Sequence, residues 1–162
     1  MAMSSHQSPV ADTMTWLTPP SIIKALGPFD LDPCTPPEMP WETAVKRYTE
    51  EDNGLIQPWE GRVWLNPPYG REIDQWMKKM AEHNNGIALT FARTETAMWH
   101  EYIWPVATAI LFLEGRLHFH YPDGTRAKAN AGAPSVLIAY GSLNSDSLLS
   151  SGIKGYHVKL AS

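Results

Sequence analysis

With 162 residues, 43% of them hydrophobic and 19% charged, the chain has the size and composition of one globular domain and carries no low-complexity or collagen-like period. Its net charge of -4 excludes a uniformly basic nucleic-acid coat, so contact with a polyanion has to come from a local patch. Cys34 is the only cysteine, which excludes an internal disulfide and fits a reducing compartment, and no apolar run approaches the ~20 residues that span a bilayer.

Residues 1–13 are polar and without periodicity, and read as a flexible arm ahead of a single domain over 14–162. No basic segment followed by an apolar stretch marks a leader there, so a cytosolic protein is expected. Trp16-Leu17-Thr18-Pro19-Pro20 leads into a short helix over 21–26, capped by Thr18 or Ser21. Phe29-Asp30-Leu31-Asp32 alternates like a strand that stops at Pro33. Residues 35–43 are Pro-rich loop; 44–49 fit either a strand or a helical turn; Asp52-Asn53-Gly54 is a turn. Arg62 to Leu65 is a β-prone strand that must end where Pro67 and Pro68 remove backbone donors.

Ile73, Trp76, Met77 and Met80 recur at helical spacing and predict an amphipathic helix over 71–83, ended by Asn84-Asn85-Gly86. Ile87 to Ala92 reads as a buried strand, Thr94 to Ile103 as a helix, and 109–119 and 136–140 as strands around a long polar loop over 121–134. The Ser-rich tail from Ser142 ends in a candidate edge strand over 155–160. Strands and helices alternating in this order predict an α/β sheet with mainly parallel strands, whose ligands bind beyond the carboxyl ends. Asp32 and Asn66 both fall at predicted carboxyl ends.

Asn66-Pro67-Pro68-Tyr69 carries the chemistry. The amine on a nucleobase is a poor nucleophile because its lone pair is delocalised into the ring. Two fixed acceptors that receive its two N–H bonds favour the tetrahedral nitrogen needed for attack on a methyl sulfonium. The Asn66 side-chain oxygen supplies one acceptor and the Pro67 carbonyl the other. Pro68 stiffens the corner, and Tyr69 presents a ring on which a base turned out of the duplex can stack, worth about 1–3 kcal/mol. Direct displacement needs orientation of the two reactants and no covalent enzyme intermediate.

The ordered set Trp16-Leu-Thr-Pro, Phe29-Asp-Leu-Asp-Pro-Cys, Arg47-Tyr-Thr, Asp52-Asn-Gly-Leu, Trp59, Val63-Trp-Leu-Asn-Pro-Pro-Tyr, Ala92-Arg-Thr-Glu-Thr, Trp99-His100 and Gly115-Arg-Leu-His-Phe resembles the phage-type DNA N6-adenine methyltransferases, the Dam family, from about Trp16 to about Tyr140. The resemblance implies a compact Rossmann-like domain that uses S-adenosylmethionine, with a mostly parallel sheet and a C-terminal antiparallel strand. It implies methylation of an everted adenine in double-stranded DNA, with GATC as the expected site, by a monomer or homodimer in the host cytoplasm. Cofactor contacts would come from Trp16, Thr18, Pro19, Asp32, Pro33, Cys34, Asp52, Leu55 and Asn66. The chain departs from the pattern in two places: Asp32 is followed by Pro33-Cys34-Thr35-Pro36-Pro37 with no Gly-rich loop, and Asn53 is inserted before Gly54.

Locally, Asp32 and Asp52 also read as turn residues. Arg93 follows a buried strand, where an unpaired charge is costly; it either pairs with Glu95 or Asp74 or reaches the target base. Arg93, Arg116, His118, Arg126 and Lys128 are the candidate DNA contacts, and each one alone is equally a solvated surface residue. His118 and His120 would share one strand face, but two ligands are too few for zinc, and no metal is expected. Asn-Pro-Pro-Tyr also occurs in methyltransferases of protein glutamine and ribosomal RNA, and a non-catalytic DNA-binding decoy would keep the same fold.

Overall fold

The computed structural model describes residues 16–127 and 132–160; the expected arm over 1–13 and Lys128 lie outside them. The first helix, α1 (Pro20–Leu26), begins with proline at its first position, where the missing N–H costs nothing. Neither Thr18 nor Ser21 caps it: Pro19 occupies the N-cap and no side chain closes the end.

Strand β1 (Leu31–Thr35) starts later than the sequence pattern suggested and runs through Pro33 instead of stopping there. It pairs with β2 (Lys46–Thr49), which settles the ambiguous 44–49 segment as a strand. Their register shifts between Asp32 and Thr35, an irregularity that spans the residue with no N–H to donate. The carboxyl end of β1 is therefore Thr35, three residues beyond Asp32. Strand β3 (Val63–Leu65) is wholly buried and runs into Asn66. Helix α2 (Ile73–His83) buries Trp76, Met77 and Met80, and ends at Asn84 in the left-handed conformation, φ 54°.

Strand β4 (Gly86–Phe91) matches expectation. The helix expected over 94–103 is instead a π-helical turn, Trp99–Ile103, in which the Trp104 N–H donates to the Trp99 carbonyl at 2.8 Å. The following strand, β5 (Ala109–Leu113), stops six residues short of the expected Phe119 end, and 116–119 runs on without strand pairing. After β6 (Ser135–Tyr140) comes α3 (Ser142–Ser150), where a Ser-rich tail was expected. Strand β7 (Gly155–Lys159) lies at the sheet edge.

All seven strands form one sheet in the order β2-β1-β3-β4-β6-β5-β7. It is mixed, which corrects the expectation of a mostly parallel sheet. The β1–β2, β1–β3 and β3–β4 pairs are parallel, whereas β4–β6, β5–β6 and β5–β7 are antiparallel. The long 114–134 connection lets β6 return between β4 and β5 in the opposite direction. The hydrophobic run of a buried strand reads the same either way, so no sequence period records that reversal.

Side chains alternate across the sheet into two cores. Val63 and Leu65 face Trp76, Met77, Met80, Trp99 and Ile103 on one side, while Trp64 faces Ile22, Leu26, Phe29 and Leu148 on the other. Arg62 ties the second layer together. Its guanidinium donates to the carbonyls of Leu26 (2.7 Å) and Pro28 (2.9 Å), to Asn144 Oδ1 (2.6 Å) and to Ser147 Oγ (3.0 Å). Among the described residues no helix is long and apolar enough to cross a membrane, and no group of His, Cys, Asp or Glu is arranged to hold a metal ion.

Candidate active site

The carboxyl ends of β1, β2 and β3 open into a cavity of about 620 Å³, which lies within the range of nucleoside-sized ligand sites. Pro33, Cys34 and Thr35 supply its β1 side, Thr49 and Glu50 extend it from β2, and Asn66 and Pro68 line it from the loop after β3. Gln75 and Trp76 reach it from α2, with Arg71 and Glu72 on the connection.

The fourth side is the 53–56 turn, and a glycine makes it possible. A Cβ on Gly54 would stand 2.0 Å from the Pro33 carbonyl oxygen and 3.2 Å from the Trp76 ring, so only glycine lets this turn close on the end of β1. Asn53, inserted before it, takes the left-handed conformation at φ 57° that an asparagine tolerates. Lys79 pins the turn from α2, donating to the carbonyls of Leu55 (2.8 Å) and Gln57 (2.7 Å), and Trp59 Nε1 donates to the Gly54 carbonyl at 2.9 Å.

Asn66 stands where β3 ends. Its carboxamide nitrogen donates to the Trp16 carbonyl and to Thr18 Oγ1, the latter at 3.2 Å, whereas its oxygen is buried and accepts from none of the described residues. A buried acceptor without a donor is costly, and its position beside a ligand-sized cavity gives it a use. The Asn66 backbone carbonyl accepts from the Cys34 thiol at 3.2 Å, tying the ends of β1 and β3 together. Burial, with Asp32 nearby, pushes that thiol well above its usual pKa, so Cys34 stays neutral.

Tyr69 lies face to face with Phe91, ring centroids 4.7 Å apart at 13°, and meets Phe119 at 6.4 Å and 78°. One face is thus already covered, and a planar ligand can use only the other. Its hydroxyl is buried without a partner among the described residues, and that burial raises its pKa above the ordinary tyrosine value.

The cofactor candidates divide between two places. Pro33, Cys34, Leu55 and Asn66 line the large cavity. Trp16, Thr18 and Asp32, again with Cys34 and Asn66, line a small hollow of about 20 Å³. Asp32 is 4% exposed, accepting from the Cys34 N–H at 3.2 Å and from the Thr43 hydroxyl. Desolvation lifts its pKa to about 6, against the lowering pull of Thr43, the Cys34 amide and Arg47. Asp52 turns away and accepts from the Thr49 N–H at 2.8 Å and hydroxyl at 3.2 Å, closing the turn, and it lines neither space. Pro19 forms the cap of α1.

Of the candidate DNA contacts, Arg93 and Arg116 follow the carboxyl ends of β4 and β5, which point to the same edge as Asn66. Arg93 is exposed, forms no ion pair with Glu95 or Asp74, and lies 6.0 Å from the Phe91 ring centroid. Arg126 is exposed and its backbone bridges to His120, whose pKa is lowered by burial and by that arginine. His118 is half-buried.

Sequence reasoning missed Trp76 as a site residue. It is 5% exposed, lines the large cavity, and its indole N–H has no partner among the described residues. At helical spacing it looks like core, which it also is, and no sequence signal distinguishes a core tryptophan from one with a donor to offer.

A mixed seven-stranded α/β sheet with a nucleoside-sized cavity at its carboxyl edge, and an Asn-Pro-Pro-Tyr corner beside it, is compatible with a methyltransferase-like fold. The family described as DNA N-6-adenine-methyltransferase (Dam) matches residues 4–154, and the chain belongs to it. A protein of Escherichia phage T1 named DNA N-6-adenine-methyltransferase is 33% identical over 111 residues, covering 63% of this chain and 45% of the phage protein. The chain therefore spans less than half the length of that relative. No solved structure matches.

Proposed function

We propose that the chain is the catalytic unit of a DNA adenine-N6 methyltransferase that takes its methyl group from S-adenosylmethionine. The observation that carries this reading is the Asn66 carboxamide, held by its nitrogen so that its buried oxygen, at the wall of the cavity, has no donor among the described residues. Such an oxygen can accept one N–H of an everted adenine, and the Pro67 carbonyl is the second acceptor this reading assigns. Together they draw the amine toward a pyramid, with the lone pair on the opposite side. Tyr69, packed on Phe91, is the ring this reading assigns to stack the base and so fix the angle of approach.

S-adenosylmethionine supplies, when bound, an electrophilic methyl on a sulfonium. The cavity residues fit it. Gly54 and Asn53 leave room for a flat nucleoside beside Leu55, the Trp76 indole offers a donor, and Glu50 and Thr49 offer acceptors to hydroxyl or amino groups. Arg93, Arg116 and Arg126 are the cations assigned to backbone phosphates, and GATC is the target the family suggests.

The test is transfer of labelled methyl to unmodified DNA, to RNA and to protein. Label should appear in DNA as N6-methyladenine, with mapping of modified sites giving the target. Asn66→Ala should lower kcat by about 100-fold or more, with the calorimetric Kd for S-adenosylhomocysteine within about twofold, because the acceptor acts on the transition state. Label in protein glutamine or RNA but not in DNA would overturn the assignment, and an absence of any heat with S-adenosylhomocysteine would mark a decoy.

A further inference from the structure

The Asn66 oxygen, buried and without a donor among the described residues, is the free end of the amide because the other end is held. A carboxamide has two similar ends, and an unrestrained one can present NH2 to the substrate, which would repel the amine it should hold. Two groups settle the orientation. The Trp16 carbonyl is an acceptor only, so the nitrogen must face it. Thr18 Oγ1 accepts from the same nitrogen at 3.2 Å and also from the Trp64 indole N–H at 3.2 Å. The indole claims one lone pair of the hydroxyl and the carboxamide the other.

This corner is buried and anchored. Thr18 is 2% exposed and Trp64 fully buried. The strap that carries Trp16 and Thr18 is fixed at Leu17, whose N–H donates to the His120 carbonyl at 2.8 Å and whose carbonyl accepts from the His120 N–H at 3.1 Å. The Trp16 ring lies 5.6 Å from that of Tyr121. Neither Trp16 nor Thr18 lines the 620 Å³ cavity where the sequence resemblance would put them, against the cofactor.

We propose that Thr18 is a positioning residue: with the Trp16 carbonyl it fixes which end of the Asn66 carboxamide meets the substrate amine. The inference rests on the methyltransferase reading above. It gives Thr18 a signature distinct from that of a residue lining the large cavity. Losing the hydroxyl should leave the cofactor cavity intact while allowing the amide to turn over, so catalysis suffers and binding does not.

The experiment compares Thr18→Val, which keeps the shape and removes the acceptor, with Thr18→Ser, which restores it. Thr18→Cys, a poorer acceptor, gives an intermediate step and stands in if the valine variant does not fold. Thr18→Val should lose roughly ten- to a hundredfold in kcat, the scale of a small misplacement at the reacting atoms. The KM for S-adenosylmethionine and the Kd for S-adenosylhomocysteine should stay within about twofold, and Thr18→Ser should recover most of the rate. A second readout needs no turnover. The side-chain NH2 pair of Asn66, assigned in a nitrogen-15 spectrum by its absence in Asn66→Ala, should be sharp and slow to exchange in the parent and Thr18→Ser proteins. In Thr18→Val it should broaden and exchange faster.

An unchanged kcat in Thr18→Val, or a loss of cofactor affinity matching the loss of rate, would overturn the proposal. Should the parent protein transfer no methyl to DNA, the functional reading fails by itself. The NH2 pair then still judges the clamp, and an identical pair in parent and Thr18→Val proteins would refute it.

Discussion

Asp32 should make the protein less stable as the pH rises through the mildly acidic range, and Asp32→Asn should abolish that dependence. The carboxyl is 4% exposed, and desolvation lifts its pKa from 3.8 to about 6. The sign follows from proton binding. Below pH 3.8 both folded and unfolded states hold the proton and nothing is lost. Between 3.8 and about 6 the folded state holds more proton than the unfolded chain, so stability falls as pH rises; above about 6 the full cost is present. A separation of that size corresponds to about 3 kcal/mol.

Asparagine keeps the local bonds, because its oxygen can accept from the Cys34 N–H and its nitrogen can donate to the Thr43 hydroxyl once that hydroxyl turns round. Every other titrating group is common to both proteins, so their difference isolates Asp32. Urea unfolding of each from pH 4 to pH 8, at an m of about 2 kcal/mol/M, should show the midpoint of Asp32→Asn gaining about 1.5 M on the parent. A midpoint gap constant to about 0.3 M across the series, within the usual extrapolation error, would refute the claim that Asp32 is held desolvated.

Gly54→Ala would place a methyl 2.0 Å from the Pro33 oxygen, so the 53–56 turn must lift away from β1; calorimetry with S-adenosylhomocysteine should show at least about a tenfold loss of affinity, equal to about 1.4 kcal/mol, and an unchanged Kd would mean this turn is no wall of the site. Arg62→Met keeps the stem but leaves the Leu26, Pro28 and Asn144 oxygens without their donor. Because Arg62 is partly exposed, roughly 3 kcal/mol of destabilisation is expected instead of the sum of its bonds, read as a fall in Tm of about 10 °C; a fall under about 3 °C would mean water replaces the guanidinium at little cost.

Some of this was legible before any coordinates and some could not be. Helix α2 was plain because Ile73, Trp76, Met77 and Met80 mark one face, and the stop after β3 was plain because Pro67 and Pro68 cannot donate. β1 was misjudged because Pro33 is read locally as a stop, whereas its place in the strand depends on a register shift against β2. Helix α3 was invisible because its residues are weak helix formers. Tertiary bonds hold it, from Asn144 to the Tyr140 carbonyl at 2.8 Å and to Asn85 Oδ1 at 2.9 Å. The corner at Asn66 was legible as the end of β3, but which end of its amide is held is decided by Trp16 and Thr18, some 50 positions away.

The π-helical turn at Trp99–Ile103 has a consequence for how this chain tolerates changes in length. Its wider turn lets Trp99 be fully buried, send its indole N–H to the Phe91 carbonyl at 3.3 Å, and sit 4.9 Å from the Trp104 ring. Removing one residue would tighten that turn to an ordinary α-turn, in which four steps of about 100° cover roughly the rotation the wider turn takes five residues to make, so the chain beyond it keeps nearly its direction. Phe91 is also the ring on which Tyr69 rests. Loss of a single codon at the exposed His100 or Glu101 would therefore disturb the wall behind Tyr69 less than the same loss inside a regular helix such as α2.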